Sequence, residues 1–295
     1  MKILVCSDGT AASVNAIQLA SLFAAPMGAE TTLLGIAETA ADEQPLRETL
    51  GAQAAALTTA GLSPKLVVVA GEPTRQIIAE TTANKYDLVV IGARRKNSEG
   101  RWGHSERTYE VIKAIEPPVL VAVGKCEKLS RFLVCTGGKH YIDSAVRLAG
   151  DMAKTVHAEV TIMHVMAEPP AIYADLVRME EDVDGLLASG SELGRTLGAQ
   201  KKQLEKMSVT ATVRVRHGIV LEQVFAEVAE GDYDLVVSGS SRARGPLRHY
   251  IMGDLTRGIL NRAERPVLVA RSDAGVSEGF FGKLRGLFSK SERVG

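Results

Sequence analysis

The chain repeats itself, and that repetition limits its fold more than any other feature. ILVCSDG at 3–9 returns as FLVCTGG at 132–138, an offset of 129 that aligns Cys6 with Cys135. Ala16, Ala20 and Ala29-Glu30 find Ala145, Ala149 and Ala158-Glu159 at that offset. Further on, Gly71 matches Gly218 and YDLVV at 86–90 recurs at 233–237, both at an offset of 147. PVLVA at 118–122 recurs at 266–270, at 148. Ordered blocks with rising offsets describe one duplicated domain that has taken insertions. The larger insertion falls between Val165 and Val209, where 174–206 reads as a long, charged helical excursion. The copies are placed at 1–126 and 127–272, followed by a tail at 273–295.

Within the first copy, short apolar runs at 2–6, 31–36, 65–69, 87–91 and 119–123 alternate with helical patterns at about 11–25, 43–60, 73–84 and 105–115. The strands are Val, Leu and Ile runs without strict alternation, as expected when helices cover both faces. Strand–helix alternation of this kind predicts an α/β fold, here two tandem doubly wound parallel-sheet domains of Rossmann-like architecture.

Composition excludes several classes of function. The 35 basic and 35 acidic residues cancel, which argues against a nucleic-acid binder. Aromatic content of 4% leaves little for stacking on single strands. No apolar stretch approaches the roughly 20 residues that a membrane helix needs. The start MKILVCSDG turns polar too early for a signal peptide, and Cys6, Cys126 and Cys135 have no metal-ligand spacing. Buried free thiols in a reducing cytoplasm are the expectation. Six histidines show no zinc-type spacing, and KMS at 206–208 lacks a companion HxGH signature. No catalytic constellation is present, which leaves a slow ATPase as the most that enzyme chemistry would amount to.

In an open parallel sheet, ligands bind beyond the carboxyl ends of the strands where the strand order reverses. Two loops per copy are candidates. After strand one stand Ser7-Asp8-Gly9-Thr10 and Thr136-Gly137-Gly138-Lys139; after strand four stand Gly92-Ala93-Arg94-Arg95 and Gly239-Ser240-Ser241-Arg242. Each leads toward a helix whose first turn offers backbone N–H groups to an anion.

DGT at 8–10, DLVVIGARR, DLVVSGSSR and the twice-used PVLVA resemble universal stress proteins over about 270 residues. The resemblance implies a five-stranded sheet, adenine-nucleotide binding (ATP or AMP, with Mg as its companion ion), an Asp after strand one against the adenine, and a phosphate loop G-x2-G-x9-G-[ST] after strand four. It also implies dimerisation through the last strands, which fusion would turn into an intramolecular pseudo-dimer built from 119–123 and 267–271. Each copy would keep its own sheet and its own crevice, beside Gly92 and Gly239.

Both copies depart from the loop pattern. Gly92 opens the first loop, but Arg95 replaces its second Gly and Ser105-Glu106 its closing Gly-[ST]; Asp8 is kept. Gly239 opens the second, Arg242 replaces its second Gly, and Gly253 closes it. Asp254 then takes the hydroxyl position, Thr136 replaces the adenine-side Asp, and Thr256 supplies another hydroxyl. The resemblance thus assigns the better nucleotide site to the second copy, with Thr136, Gly137, Gly138, Gly218, Gly239, Ser240, Ser241, Arg242, Gly253 and Thr256, and a weaker one to the first, with Asp8 and Gly92.

Three readings of function stay open: a non-enzymatic stress-response or signalling module that binds nucleotide, a nucleotide-free scaffold for a protein partner, and the slow ATPase. Arg94, Arg95, Lys96 and Arg101, like Arg242, Arg244, Arg248 and His249, make both loops basic, either for anion capture or as solvated surface. His164 either lines a pocket or is structural. Phe280, Phe281, Leu284, Leu287 and Phe288 share one helical face flanked by Lys283, Arg285 and Lys290. Such a segment can lie on an anionic membrane surface, although packing on its own domain or on the mate of a homodimer is favoured.

Overall fold

The structure, a computed structural model, describes residues 1–59, 61–93, 106–137, 142–167, 183–242 and 250–271. The loop residues 94–105, Gly138 through Tyr141, Arg244, Arg248 and His249, and the whole tail with its 280–288 face lie outside the described residues. In the first copy, β1 (Lys2–Ser7), β2 (Glu30–Ala37), β3 (Lys65–Ala70), β4 (Leu88–Gly92) and β5 (Val119–Ala122) alternate with α1 (Ala11–Ala24), α2 (Glu43–Thr59), α3 (Pro73–Ala83) and α4 (Glu106–Ala114). In the second copy, β6 (Arg131–Thr136), α5 (Asp143–Val156), β7 (Glu159–Met166), α6 (Val183–Ala188), α7 (Glu192–Lys206), β8 (Ala211–His217), α8 (Val220–Gly231), β9 (Leu235–Arg242), β10 (Tyr250–Ile251), α9 (Asp254–Arg262) and β11 (Val267–Arg271) follow.

Each copy has the strand order 3-2-1-4-5 in its own count. The copies do not keep separate sheets, because β5 and β11 pair antiparallel, Val121 to Val267, Leu120 to Leu268 and Val119 to Val269. One continuous sheet results, β3-β2-β1-β4-β5-β11-β9-β6-β7-β8, with β10 added beside β9. The expected pseudo-dimer is present, and edge pairing is what merges its two sheets: two unpaired rows of N–H and C=O satisfy one another.

Successive strand residues alternate between two continuous cores. Ile3, Val5, Leu120, Phe132, Val134 and Leu268 lie in the core shared with α1, α2, α5 and α7. Leu4, Cys6, Val121, Leu133, Cys135 and Val269 lie in the core shared with α3, α4, α8 and α9. Both cores run through both copies.

The repeated YDLVV is explained by two anchors. Asp87 accepts from the Lys2 backbone N–H at 2.7 Å, and Asp234 accepts from those of Ser130 and Arg131 at 2.7 and 3.1 Å, so each Asp fixes the start of strand one. Tyr86 donates to Glu80 at 2.6 Å and Tyr233 to Glu227 at 2.7 Å, pinning α3 and α8.

The supposed excursion at 174–206 is only partly an insertion. TLGAQ at 49–53 recurs at 196–200, so α7 is the counterpart of α2, and the added material lies ahead of it and includes α6. This block has the offset of 147, which places the jump upstream of Glu192.

Candidate functional site

The two crevices lie where strand order reverses, between β1 and β4 and between β6 and β9. In the first, β1 ends at Ser7 and the chain turns at Gly9, whose φ of +78° favours glycine. Asp8 is exposed, and its Oδ1 accepts from the Thr10 backbone N–H at 3.0 Å and from the Thr10 hydroxyl at 2.5 Å. Its carboxylate therefore closes a local turn before α1. Buried Ser7 bonds the Ser13 hydroxyl at 2.9 Å. Leu46 and Leu50 of α2 press on this corner: a Cβ built on Gly9 would meet Leu46 at 3.2 Å, and one on Gly35 would meet Leu50 at 2.4 Å. Gly92 ends β4, half-buried and paired with Ala122. Glu106 is the first residue of α4, so an acidic residue opens the helix that the loop leads to.

In the second crevice, β6 ends at buried Thr136, followed by exposed Gly137. The Thr136 carbonyl accepts from His164 Nδ1 at 2.9 Å, which makes His164 a strand-end brace. Ile142 roofs Gly239, with its side chain 3.8 Å from where a Cβ would sit. Gly218, at φ +123°, turns the chain from β8 into α8, and its N–H bonds the Met166 carbonyl.

The stretch Gly239-Ser240-Ser241-Arg242, expected as a loop, is strand. β9 continues to Arg242, held by β11 through Ser240–Arg271 and by β10 through Ser241–Ile251 and Arg242–Tyr250. Two flanking partners extend a strand that would otherwise end at the glycine. Thr256, 2% exposed, donates to the Gly239 carbonyl at 2.7 Å and lies 2.8 Å from the Ser238 hydroxyl. Ser240, 3% exposed, donates to the Ala270 carbonyl at 3.0 Å and accepts from Arg271 at 2.9 Å. Both hydroxyls thus brace α9 and β11 against β9. Gly253 is the N-cap of α9 at φ −64°, ψ 165°, and a Cβ there would meet nothing within 4 Å. Exposed Asp254 begins the helix.

Burial first, then Glu80, pushes the Cys6 thiol up to about 12; burial and then Glu227 do the same to Cys135. Cys126, half-buried, is raised to about 11. Neutral thiols of this kind are poor nucleophiles. Among the described residues, no group of three or more His, Cys, Asp and Glu side chains gathers to hold a metal, and no helix is long and apolar enough to cross a membrane. Lys206 ends α7 and Met207 caps it, with Ser208 at φ +63°, so KMS is a helix end. The residue that sequence reasoning missed is Arg271. The signal was Arg271 against Val123 at the otherwise repeated end of PVLVA.

A doubly wound sheet with two crevices, duplicated and fused edge to edge, defines a tandem α/β protein of Rossmann-like fold. The model of the universal stress protein family matches residues 1–122 and again 128–271, and the chain belongs to that family. A crystal structure of a universal stress protein from Archaeoglobus fulgidus aligns at 20% identity over 92% of this chain and 98% of that one, with a TM-score of 0.64. A functionally unknown protein from Pseudomonas aeruginosa aligns at 16% identity over 98% and 97%, with a TM-score of 0.67. At these identities the likeness is one of fold. No curated protein matches the chain.

Proposed function

We propose that this chain is a non-enzymatic stress-response module whose second copy holds an adenine nucleotide and whose first copy does not. The observation that carries the reading is Gly253. Neither its backbone angles nor its packing requires glycine, since any residue adopts φ −64° and a Cβ there has open space. What a missing Cβ leaves at that point is an accessible backbone at the N-terminus of α9, suited to an anion. The first copy has Ser105 where the second has Gly253, and the helix that follows opens with Glu106 as α9 opens with Asp254.

The nucleotide-free scaffold is favoured by a different observation. Thr256 and Ser240 are bonded inward, and Asp254 brings a negative charge to the helix start. Denaturing the purified protein and analysing what is released, followed by calorimetry with ATP, ADP and AMP, separates the two. The nucleotide reading expects one site per chain, weakened tenfold or more in Gly253→Val with the fold intact by circular dichroism. Binding that this substitution leaves unchanged would move the site elsewhere; no binding at all would leave the scaffold.

A further inference from the structure

Arg271 is the last residue of β11 and is 8% exposed. Its guanidinium leaves its own copy. Nη2 donates to the Ile112 and Ile115 carbonyls at 2.8 and 2.9 Å, and Nε to the Pro117 carbonyl at 3.0 Å, with the Glu116 carbonyl at 3.3 Å. These oxygens lie at the C-terminal end of α4, where a helix leaves carbonyls without intrahelical partners and favours a cation. Nη1 turns the other way and donates to Ser240 Oγ at 2.9 Å, at the carboxyl end of β9. The backbone carbonyl of Arg271 accepts from the Ser144 hydroxyl in the first turn of α5. One residue thus joins the two elements that flank the second crevice to a helix of the first copy.

The link is one-sided. Val123 occupies the matching position in the first copy, buried and apolar, so α9 receives no such cation from it. Around α4 the same asymmetry continues: Tyr109 donates to Asn261 of α9, and α4 also touches β10, the strand paired with the end of β9.

We propose that Arg271 is a coupling residue through which the position of the second crevice's wall, β9 and the start of α5, is transmitted to α4 of the first copy. α4 opens at Glu106 and is nine residues long, so a change at its last turn lies within about 14 Å of its first residue. That a ligand drives the coupling rests on the nucleotide reading above; the coupling itself does not.

Hydrogen exchange of the full chain, read on peptides spanning 108–118, tests it in two arms. In the ligand-free protein, Ser240→Ala removes the acceptor on Nη1, and Arg271→Lys keeps the charge but loses the fork. Both are expected to speed exchange at 112–116 by roughly three- to tenfold while peptides from β1 and β2 stay unchanged. Unchanged α4 exchange in both variants overturns the coupling. In the second arm, saturating ATP is expected to alter exchange at 112–116 in the parent protein, and the response disappears in Arg271→Lys although calorimetry still detects ATP. ATP binding with no change in α4 shows that the ligand does not use this path and overturns its role there. Absence of ATP binding overturns the nucleotide reading alone, and the ligand-free arm still decides the coupling.

Discussion

Glu227 shows how a single side chain can be held charged inside this fold. It is 3% exposed, yet it accepts from Tyr233 at 2.7 Å and from Arg216 Nε at 2.7 Å, with Arg214 at 3.9 Å. Burial pushes its carboxyl up, but the Tyr233 and Arg216 hydrogen bonds outweigh burial and hold it below the usual range. A depressed carboxyl contributes stability above its unfolded pKa and loses it as pH falls through the folded value. Glu227→Gln is therefore expected to cost about 1–3 kcal/mol near neutral pH. In urea melts the gap from the parent protein should close below about pH 4. A gap that stays constant down to pH 3 would show that the charge is irrelevant. The position was legible only in part: Tyr233 and Glu227 repeat Tyr86 and Glu80 at one offset in the sequence, whereas Arg214 and Arg216 become their neighbours only once α8 is laid on β8.

At the scale of elements, the α6–α7 turn depends on one glycine. Ser191 caps α7 by accepting from the Gly194 N–H at 3.0 Å, and a Cβ on Gly194 would stand 2.2 Å from the Leu186 backbone oxygen. Backbone cannot yield as a side-chain tip can. Gly194→Ala should push α6 off α7 and cost about 1–3 kcal/mol, seen as a lowered urea midpoint. An unchanged midpoint would mean that α6 already moves freely. Apolar runs and helical periodicity located the first-copy strands and helices to within a residue or two, because both depend on local pattern. The continuation of β9 to Arg242 was not legible, because what extends the strand is hydrogen bonding to the two-residue β10, too short to leave a pattern, and to β11, which is remote in sequence.

For the whole molecule, the question is whether two copies make two folding units or one. The Val119–Val121 edge meets Val267–Val269, and both apolar cores continue across that seam from Leu4 and Ile3 to Leu133 and Phe132. Such continuity predicts a single cooperative transition in scanning calorimetry, with calorimetric and van't Hoff enthalpies equal. Two resolved transitions would show that the copies melt independently.

The duplication, the α/β class and the position of the crevices followed from residue pattern alone, because parallel strand–helix units leave few arrangements open and place ligands at one edge of the sheet. The tertiary structure decided which polar groups at that edge are already committed. Thr256 and Ser240 look like ligand hydroxyls in one dimension, and only the folded chain shows that Gly239, Ala270 and Arg271 take them. Hydrogen-bond partners that lie 17 to 31 residues apart are set by packing, which no local spacing encodes.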